Sequence, residues 1–583
     1  MENAHPPTRH ARLGLLAGYL LLLVALAAGS EIRRVGDDGE YLDMMQDLRR
    51  FEAPSRHVHF WFYPALAVPF LALIEHTSLN PFAAFIPLNF VLLAAAFWVA
   101  SGVLTRPALA LLFVSPIVWW VDKAHTEAFT FSLLTIALVA IRPRTDAPGP
   151  HPGWAVVALA AAGTQNPPFL LLAPLAAALL VATKVVRLED RRFLVLCAAG
   201  LALSALHPAY YYLTGGTVSG LSGSTHGRMP NIDEWLAVLR DTNLGLIPNA
   251  PALALAVMLT VLFVLVRSPR SLASPDVMFT CVAGVVFLAS FPQTRNFNHG
   301  ATPGMSRYAL WLIPLAVPFL RHAADARPSQ AVRQAVVAMV AVSAVWSVVM
   351  FHPERADGAR PTWVSALVWK HYPWLDRPLP EVFAERHRGP RGEWWLPIAS
   401  PDCTKILLLS RGESDMWPIP CFPEPVPDEC REGRTLCYAN RRGATYEFER
   451  VPRPSYWNYR FDRPAVWTSE EVRTVRTLLL RLRWWELPLC NISDNRITLG
   501  AYGVGGAHSY CGSDRLLAYF RNRDGARIRM RLRTRMSGAL IDASTGQTMS
   551  LVEFTGKPGE VWDLPIPPGP ASVVLVLTTS GMF

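Results

Sequence analysis

The chain has 583 residues, of which 51% are hydrophobic and 17% are charged, and its mean hydropathy is +0.23. This composition excludes an ordinary soluble protein and indicates several membrane-spanning segments. The formal net charge of +10 comes from basic residues that lie between apolar segments and in the last third of the chain. Membrane topology accounts for that distribution, so we do not expect nucleic acid as a partner.

Apolar runs occupy most of the first 351 residues, and eleven of them can span a bilayer, some with support from neighbouring helices. The fold class predicted is therefore a polytopic α-helical membrane protein with about eleven transmembrane helices. The first run ends in a weak match to a signal-peptidase site, and we interpret it as an uncleaved helix. The runs lie at about 13–30, 82–103, 107–121, 126–141, 153–166, 168–183, 193–213, 250–266, 277–293, 308–320 and 334–351.

The basic residues set the expected orientation. If the N-terminus is cytoplasmic, each of the six inside connections carries at least one arginine or lysine, and the short outside connections carry fewer. The positive-inside rule then predicts a cytoplasmic N-terminus and, after an odd number of spans, an extracytoplasmic C-terminus. The connections with unusual chemistry share the outer face in this topology, so we expect the functional surface there.

The first outer loop, residues 31–80, follows the first helix and opens with an acidic motif. Asp37, Asp38 and Glu40 lie within four residues of one another at the membrane surface. Charges near the hydrocarbon core are costly and indicate a site or a partner, although a solvated acidic turn is the simpler alternative. Tyr41 to Leu48 has helical spacing that suits an interfacial helix, and the apolar stretch ending near Leu73 is expected to dip in from outside.

Other outer connections carry the remaining candidate residues. Transfer of a group from a lipid-linked phosphate needs a carboxylate base and fixed cationic donors for the leaving phosphate. Helix capping, by Thr126 before a helix start and by Pro167 at a first turn, competes with a site role for the runs 125–127 and 164–168. Interfacial anchoring competes for Arg307. The candidate catalytic residues are Asp37, Asp38 and Glu127. The candidate substrate-binding residues are Glu40, His57, His59, His125, Gln165, Asn166, Arg295, His299, Arg307 and Tyr308.

The glycine- and serine-rich connection from Thr214 to Arg228 has the composition of a mobile strap. Both a substrate lid and a disordered connector fit it, and the sequence does not decide between them.

The chain changes character after residue 351. Residues 352–402 are a proline- and tryptophan-rich linker, and residues 403–583 are expected to form an extracytoplasmic β-rich domain. Short alternating runs at 444–448, 528–533 and 572–577 are typical of strands in a β-sandwich. Four aromatic side chains there suit sugar stacking, with core packing as the commoner alternative. They are Trp457, Tyr459, Trp484 and Trp485.

Cysteine usage supports the same topology. Two of the eight cysteines lie in apolar runs and six lie in the polar C-terminal region, which predicts up to three disulfides in an oxidising compartment. A zinc site is less consistent with the sequence, because no Cys-x-x-Cys pair occurs. The six are Cys403, Cys421, Cys430, Cys437, Cys490 and Cys511.

This organisation resembles the GT-C superfamily of polyprenyl-phosphate-sugar glycosyltransferases, which have a first helix, an acidic motif in a large outer loop, an interfacial helix and a helix bundle. The run Asp37 to Met44, followed by Phe60 to Tyr63, is similar to the Asp-Asp-Gly region of Emb-type arabinosyltransferases. In that family the first aspartate is the expected base, which implies Asp37 here. This chain is shorter than the Emb proteins and has fewer predicted spans, so the sugar stays open.

The resemblance implies transfer of a sugar, first arabinofuranose, from a polyprenyl-phosphate donor to a glycan or protein acceptor at the outer face of a bacterial inner membrane. Inversion with Asp37 as base is expected, and a hexose or aminosugar donor is the alternative. Arginine can neutralise the phosphate, so no cofactor is required, although a divalent cation between Asp37 and Asp38 stays open. Rival functions are a transporter or flippase of a lipid-linked sugar and a non-catalytic sugar-binding membrane protein.

Overall fold

The computed structural model describes residues 7–30, 37–52, 54, 59–77, 79–142, 149–220, 232–293, 303–326, 329–355, 360–388, 398–409, 430, 436–451, 505–511, 514–521, 527–531, 534–554, 557, 561–567 and 572–579. Helices come first and strands follow. The α-helices are α1 (Arg9–Ala28), α2 (Asp38–Arg49), α3 (Phe62–Ile74), α4 (Phe85–Ala100), α5 (Arg106–Phe113), α6 (Glu127–Ala140), α7 (Gly153–Gln165), α8 (Pro168–Ala182), α9 (Arg191–Gly215), α10 (Ile232–Arg240), α11 (Leu246–Asn249), α12 (Pro251–Arg267), α13 (Pro275–Ser290), α14 (Val317–Asp325), α15 (Gln330–Met350), α16 (Trp363–His371) and α17 (Pro380–Arg388).

The strands all lie after residue 397. They are β1 (Ile398–Ala399), β2 (Lys405–Leu409), β3 (Leu436–Arg442), β4 (Thr445–Val451), β5 (Gly505–Cys511), β6 (Arg515–Arg521), β7 (Arg527–Arg531), β8 (Ser537–Asp542), β9 (Thr548–Glu553), β10 (Val561–Pro565) and β11 (Ser572–Thr578).

Within the described residues, five helical segments are long and apolar enough to cross a membrane. Each has 19 to 24 residues, and at 1.5 Å per residue this length matches the hydrocarbon core of a bilayer. The chain is therefore a multi-pass membrane protein, as its composition predicts. The segments are Arg9–Ala28, Pro81–Ala100, Arg191–Thr214, Pro275–Gln293 and Gln330–Met350, and shorter apolar helices are Phe62–Ile74, Glu127–Ala140, Pro168–Ala182 and Pro251–Arg267.

Two of the predicted spans are not continuous α-helices. The run at 107–121 consists of α5 and a 3-10 helix (Pro116–Trp120), and the run at 308–320 consists of 3-10 helices (Arg307–Leu312 and Pro314–Ala316) followed by α14. Proline accounts for the break at Pro116, because it lacks a backbone donor and disfavours helical angles at the preceding residue, whereas Ile313 before Pro314 keeps helical angles and only the missing donor acts there. Ser115, before Pro116, has extended backbone angles. Each of the other nine runs contains one α-helix close to its predicted bounds, and short 3-10 helices precede α4 (Pro81–Ala84) and follow α13 (Phe291–Gln293).

The connections sort into two sets at opposite ends of the bundle. At one end of α1, Arg12 donates to Ser101 Oγ (2.9 Å), and at the other end Ser30 donates to Asp122 Oδ2 (2.6 Å). The broken segment between residues 101 and 122 thus runs alongside the whole of α1. Asp122 and Arg12, predicted to lie on opposite sides of the membrane, are thus near opposite ends of α1.

The acidic motif and the interfacial segment predicted from Tyr41 to Leu48 form the single helix α2. Its apolar side, which includes Tyr41 and Met45, packs on Tyr63 and Leu71 of α3 in a shared hydrophobic cluster. Arg49 pairs with Glu75 at the far end of this helix pair, at 2.5 Å. Burial of one face of each helix fixes α2 against the bundle, so its first residues are held at the mouth of the helices.

The expected linker contains structure. Helices α16 and α17 lie within residues 352–402 and pack with the antiparallel sheet β1-β2-β3-β4. Trp369 and Phe383 belong to the same hydrophobic cluster as Tyr438 of β3 and the helix bundle. Lys405 is fully buried in this junction, where its Nζ donates to the carbonyls of Pro373 (2.7 Å) and Asp376 (2.9 Å).

The last part of the chain is a five-stranded sheet in the order β5-β6-β11-β8-β9 and a two-stranded sheet of β10 and β7. All pairings are antiparallel, and the three runs predicted as strands are strands. Ile528 of β7 shares a hydrophobic cluster with Leu575 of β11, so the two sheets pack on one core. The aromatic residues proposed for sugar stacking, Trp457, Tyr459, Trp484 and Trp485, lie outside the described residues.

One disulfide joins Cys430 and Cys437, and Cys403 is also disulfide-bonded. Cys197 and Cys281, in the apolar helices α9 and α13, are free. Cys421 and Cys490 lie outside the described residues. Three cysteines of the polar region, Cys403, Cys430 and Cys437, are therefore disulfide-bonded, while Cys197 and Cys281 of the helix bundle are not.

Candidate functional site

The site is centred on an arginine and an aspartate that are 270 residues apart in the chain. Arg307 Nη1 donates to Asp37 Oδ2 at 3.3 Å. Asp37 precedes α2, and Arg307 begins a 3-10 helix on the other side of the site. The Asp37 side chain is 22% exposed and that of Arg307 is 10% exposed. The carboxylate thus stands at the opening of the site, with the guanidinium below it.

His125 and Glu127 form the buried wall of the site. His125 Nε2 lies 2.7 Å from Arg307 Nη1, and because a guanidinium only donates, Nε2 must accept. Nδ1 then carries the proton and donates to Glu127 Oε2. Glu127 Oε1 lies 3.7 Å from Arg307 Nε, so its carboxylate holds both the imidazole and the guanidinium. Thr126 makes no side-chain cap to α6, which removes capping as the role of this turn.

His59 closes the outer side of the site. Its Nε2 lies 3.5 Å from Asp37 Oδ2, and its Nδ1 lies 2.9 Å from Glu40 Oε2. The ring of Tyr41 lies between the two histidines, 5.2 Å from His59 and 5.6 Å from His125 between ring centroids. Burial raises the pKa of Tyr41 well above its ordinary value, so this ring stays neutral. Asp37 Oδ2 therefore has two potential proton or charge partners among the described residues, Arg307 and His59.

Local structure explains how Arg307 reaches the site. Ser306 caps the 3-10 helix by accepting from the Tyr308 backbone amide (3.4 Å), which turns the chain just before the arginine. The Tyr308 ring stacks on Phe291 at 5.3 Å, and the guanidinium lies 5.3 Å from the Tyr308 ring centroid. Arg307 is 8% exposed as a residue, so its role is not that of an exposed interfacial anchor.

Several supporting residues were not predicted from the sequence. Asn89 of α4 donates to the carbonyls of Trp120 (3.2 Å) and Lys123 (2.9 Å) and accepts from Tyr63 (3.0 Å), which fixes the turn before His125. The Trp120 ring lies 5.0 Å from the His125 ring. An asparagine within an apolar run was the available signal, because an amide buried among helices needs partners.

A buried ion pair supports the same turn. Lys123 Nζ donates to Asp122 Oδ1 (2.5 Å) and to the Pro353 carbonyl (3.0 Å), and both side chains are about fully buried, at 1% and 0% exposure. Ser30 at the end of α1 completes this pairing. Three distant segments are thus joined behind His125.

Gln165 and Asn166 lie at the end of α7, beside α6. Asn166 Nδ2 donates to Thr130 Oγ1 (2.8 Å), one turn after Glu127. Gln165 is 5% exposed, and neither its amide nitrogen nor its oxygen has a hydrogen-bond partner among the described residues. An unsatisfied buried amide is costly, so it is a reasonable place for a ligand to bind. The next helix begins at Pro168, as the capping alternative predicted.

His207 of α9 is a further polar residue that the sequence analysis did not select. Its Nδ1 lies 2.7 Å from the Thr164 carbonyl and its Nε2 lies 3.1 Å from Ser219 Oγ. The predicted strap therefore begins with a contact to the bundle, while most of it, like His57, Arg295 and His299, lies outside the described residues. Asp38 is buried at the first turn of α2, where the helix dipole favours a carboxylate.

The arrangement can do two things chemically. Asp37 offers a partly exposed carboxylate that can accept a proton, and Arg307 offers guanidinium donors that can bind an anion. Glu127 and His125 balance the arginine in a buried setting, where an unpaired charge would be expensive. Among the described residues, no three histidine, cysteine, aspartate or glutamate side chains are grouped so as to hold a metal ion.

The fold and site define a class: a multi-pass membrane protein with a buried ionic site at one end of its helix bundle. Structural comparison gives ArnT from Cupriavidus metallidurans in the apo state at 11% identity and a TM-score of 0.40, over 59% of this chain and 76% of that one. ArnT bound to undecaprenyl phosphate gives 13% and 0.40, over 60% and 77%. No protein-family model matches the chain, and no curated protein matches it in sequence.

Proposed function

We propose that the chain is a membrane glycosyltransferase of the GT-C type, which moves a sugar from a polyprenyl-phosphate donor to a glycan or protein acceptor outside the cytoplasm. The observation that carries the proposal is the direct contact of Asp37 with Arg307 at 3.3 Å, at the mouth of an apolar helix bundle. A lipid-linked phosphate has its charge at that depth, next to a tail that needs apolar surroundings.

Asp37 acts as the base in this proposal. The acceptor hydroxyl loses its proton to Asp37 as its oxygen attacks the anomeric carbon, and the bond from that carbon to the phosphate oxygen breaks with inversion. The Asp37 side chain is 22% exposed, more than those of Arg307, His125 and Glu127, which lets an acceptor approach from water. Its present partner, Arg307, can turn its guanidinium donors to the monoanionic phosphate of the donor, which gains a second negative charge as the sugar leaves, and this frees Asp37 for its role as base.

Arg307 holds the leaving phosphate. Its guanidinium neutralises charge that grows as the bond to the sugar breaks, so it stabilises the transition state more than the ground state. Glu127 and His125 keep the guanidinium in place, with His125 accepting from it at 2.7 Å. Gln165 supplies an amide that has no hydrogen-bond partner among the described residues and can bind sugar or phosphate oxygens. Arabinofuranose remains the first sugar to test, followed by hexoses and aminosugars.

The contribution of Asp38, Arg295 and His299 stays a prediction. Asp38 is expected to position the acceptor or tune the base, and Arg295 and His299 are expected to assist with the phosphate. The proposal also places the protein in the bacterial inner membrane, with the site facing outward. The Cys430–Cys437 disulfide supports this location, because disulfides persist in an oxidising compartment.

The test compares glycan composition in cells that lack the chain, cells complemented with it, and cells complemented with Asp37→Asn. We expect one sugar to be lost in the first and third strains and restored in the second. Asp47→Asn is the matched control, because Asp47 lies on the same helix α2 and pairs only with the exposed Arg50 among its described contacts. If all three strains had the same glycan composition, the proposed glycosyltransferase activity would be wrong.

The transporter alternative makes a different prediction. A carrier would move the intact lipid-linked sugar across vesicles without releasing polyprenyl phosphate, and Asp37→Asn protein would retain that movement if the carboxylate were only structural. Release of polyprenyl phosphate that depends on Asp37 separates the two functions.

A further inference from the structure

A turn outside the ionic cluster holds the segment that carries Arg307. Residues 241–245 lie between α10 and α11, and the Leu244 carbonyl accepts from the Ser306 backbone amide at 2.9 Å. Ser306 is the residue immediately before Arg307 and also caps the 3-10 helix that Arg307 begins. The position of the guanidinium is therefore tied to the geometry of this turn.

Asp241 determines that geometry. Its Oδ1 accepts from the backbone amides of Asn243 (2.8 Å) and Leu244 (2.9 Å), which is the pattern of an Asx turn. Asp241 is 7% exposed, so these amides have no water to replace the carboxylate. Loss of the side-chain oxygen would leave two buried donors unsatisfied, and the turn would have to move.

The same turn is fixed from its other side. Thr242 Oγ1 donates to Asp376 Oδ2 (2.8 Å), and Asp376 also accepts from Trp369 Nε1 (2.6 Å). Thr362 Oγ1 donates to the Thr242 carbonyl (2.8 Å). Residues of the segment after α15 thus join the turn to the junction with the first sheet.

A glycine contributes to the close fit. Gly304 has φ of +89°, and a Cβ added there would lie 2.8 Å from Asn249 Oδ1 and 3.2 Å from Thr362 Cγ2. Asn249 itself donates to the Gly245 carbonyl at 2.8 Å. The chain approaching Arg307 therefore passes through a space that is already full, and only glycine suits both the angle and the space.

We propose that Asp241 and Ser306 are positioning residues for Arg307: the Asp241 side chain shapes the turn, and the Leu244 carbonyl of that turn holds Ser306 so that the guanidinium faces Asp37. This inference rests on the proposed function, in which Arg307 binds the donor phosphate. Neither residue touches substrate in it, so both act through Arg307.

The test measures binding of undecaprenyl phosphate to the full-length protein in lipid nanodiscs by native mass spectrometry. Asp241→Ala removes both accepted hydrogen bonds, whereas Asp241→Asn keeps an oxygen at the same place. We expect Asp241→Ala to weaken binding by about tenfold, the size expected for the loss of one or two hydrogen bonds, and Asp241→Asn to stay within about twofold.

A second pair of variants tests the Ser306 amide and guards against misfolding of Asp241→Ala. Ser306 has φ of −64°, which a proline ring permits, so Ser306→Pro removes the donor to Leu244 at an allowed backbone angle. Ser306→Ala removes only the hydroxyl. We expect Ser306→Pro to weaken binding by about tenfold and Ser306→Ala by less than about threefold.

Arg307→Ala is the reference in every series. If it weakens binding while Asp241→Ala and Ser306→Pro bind like the wild type, the positioning role is overturned and the proposed function stands. If Asp241→Asn is as weak as Asp241→Ala, charge rather than turn geometry is responsible, and the inference also fails. If Arg307→Ala binds undecaprenyl phosphate as tightly as the wild type, the phosphate site and the positioning role fall together.

Discussion

Two buried ionic clusters stand at opposite ends of α13 and are made of the same residue types. In one, Arg307, His125 and Glu127 meet Asp37, and Tyr308 beside Arg307 stacks on Phe291 at the end of the helix. In the other, at the start of the helix, Asp276 pairs with Arg321 and lies 3.5 Å from His322. The helix has 16 residues, which separates the clusters by about 24 Å.

The clusters differ in how their charges are balanced. Asp276 is fully buried and is the one carboxylate that pairs with Arg321 among the residues the structure describes, so that cluster is closed on itself. Arg307 contacts two carboxylates, and one of them, Asp37, is partly open to solvent. An extra, exposed carboxylate is not needed for stability, since exposed pairs contribute little. The comparison teaches that excess partners and exposure, rather than residue type, distinguish a reactive cluster from a structural one.

The largest effect is expected from removing the arginine of each cluster in turn. Arg307→Ala should lower the initial rate of sugar transfer in isolated membranes by about 10³-fold, as for the loss of a main transition-state charge partner. Arg321→Ala should keep most of the transfer rate per folded molecule, although it lowers the amount of folded protein. Equal rate losses in the two variants would break the distinction between the clusters.

The next largest effect is on the free energy of unfolding, and here the cluster around Asp276 should be the more sensitive one. Asp276→Ala leaves Arg321 without its buried partner and should lower the free energy of unfolding by ~3 kcal/mol. Asp37→Ala should change it by less than about 1 kcal/mol, because that carboxylate is partly exposed. Chemical unfolding of both variants in detergent measures the difference, and a larger loss for Asp37→Ala would contradict it.

Glu127 is the closest counterpart of Asp276, because each is a buried carboxylate between an arginine and a histidine. Glu127→Gln keeps the shape but removes the charge that fixes the His125 tautomer. We expect the transfer rate to fall by about 10²-fold with little change in the amount of folded protein. Asp276→Asn, the matched variant, should instead lower the amount of folded protein with the rate per molecule retained.

A third buried acid sharpens the comparison through pH. Burial, and next the charge of Asp376, raise the pKa of Asp241 to about 7, and Arg386 opposes this shift. Nearby, burial lowers the pKa of Lys405 to about 8. Asp241 binds its proton more tightly in the folded state than in the unfolded state. Its contribution to the free energy of unfolding is therefore fully present below its unfolded pKa and is lost as the pH rises to about 7. Between pH 5 and 7.5 the loss should reach ~2 kcal/mol.

Asp241→Asn supplies the control for this effect. An amide does not titrate, so the decline in the unfolding free energy between pH 5 and 7.5 should be smaller in the variant than in the wild type, measured in the same detergent. An identical pH dependence in the two proteins would show that Asp241 ionises in the folded state as freely as in water.

Much of the architecture follows from the sequence because apolar length and period-2 alternation are local properties. Nine apolar runs each contain one α-helix, and Ser572 to Thr578 forms a strand buried along its whole length. The helix breaks at Pro116 and Pro314 occur at residues that the sequence shows, but a prediction based on apolar length alone does not include them. Helices α16 and α17 within the expected linker form because Trp369 and Phe383 find a partner surface in Tyr438, which no local pattern reveals.

The site divides in the same way. Charge at the membrane surface identified Asp37, His125, Glu127 and Arg307, and the structure brings these four together. The amide of Asn89 in an apolar run is a sign of buried partners, but only the fold brings near the backbone carbonyls that Asn89 and His207 contact, so the sequence does not name those partners. The specific pairing of Asp37 with Arg307 depends on a tertiary approach across 270 residues, and sequence spacing carries no information on it.

That separation has a consequence for synthesis of the protein. The ribosome adds about 5–20 residues per second, so on the order of 10–60 s pass between the emergence of Asp37 and that of Arg307. Glu127 and His125 enter the bilayer during this interval without their guanidinium partner. The nascent chain therefore has to shelter an uncompensated carboxylate in the translocon or with an insertion factor until the 3-10 helix that begins at Arg307 is made, and slowing of late translation should expose the chain to membrane proteases.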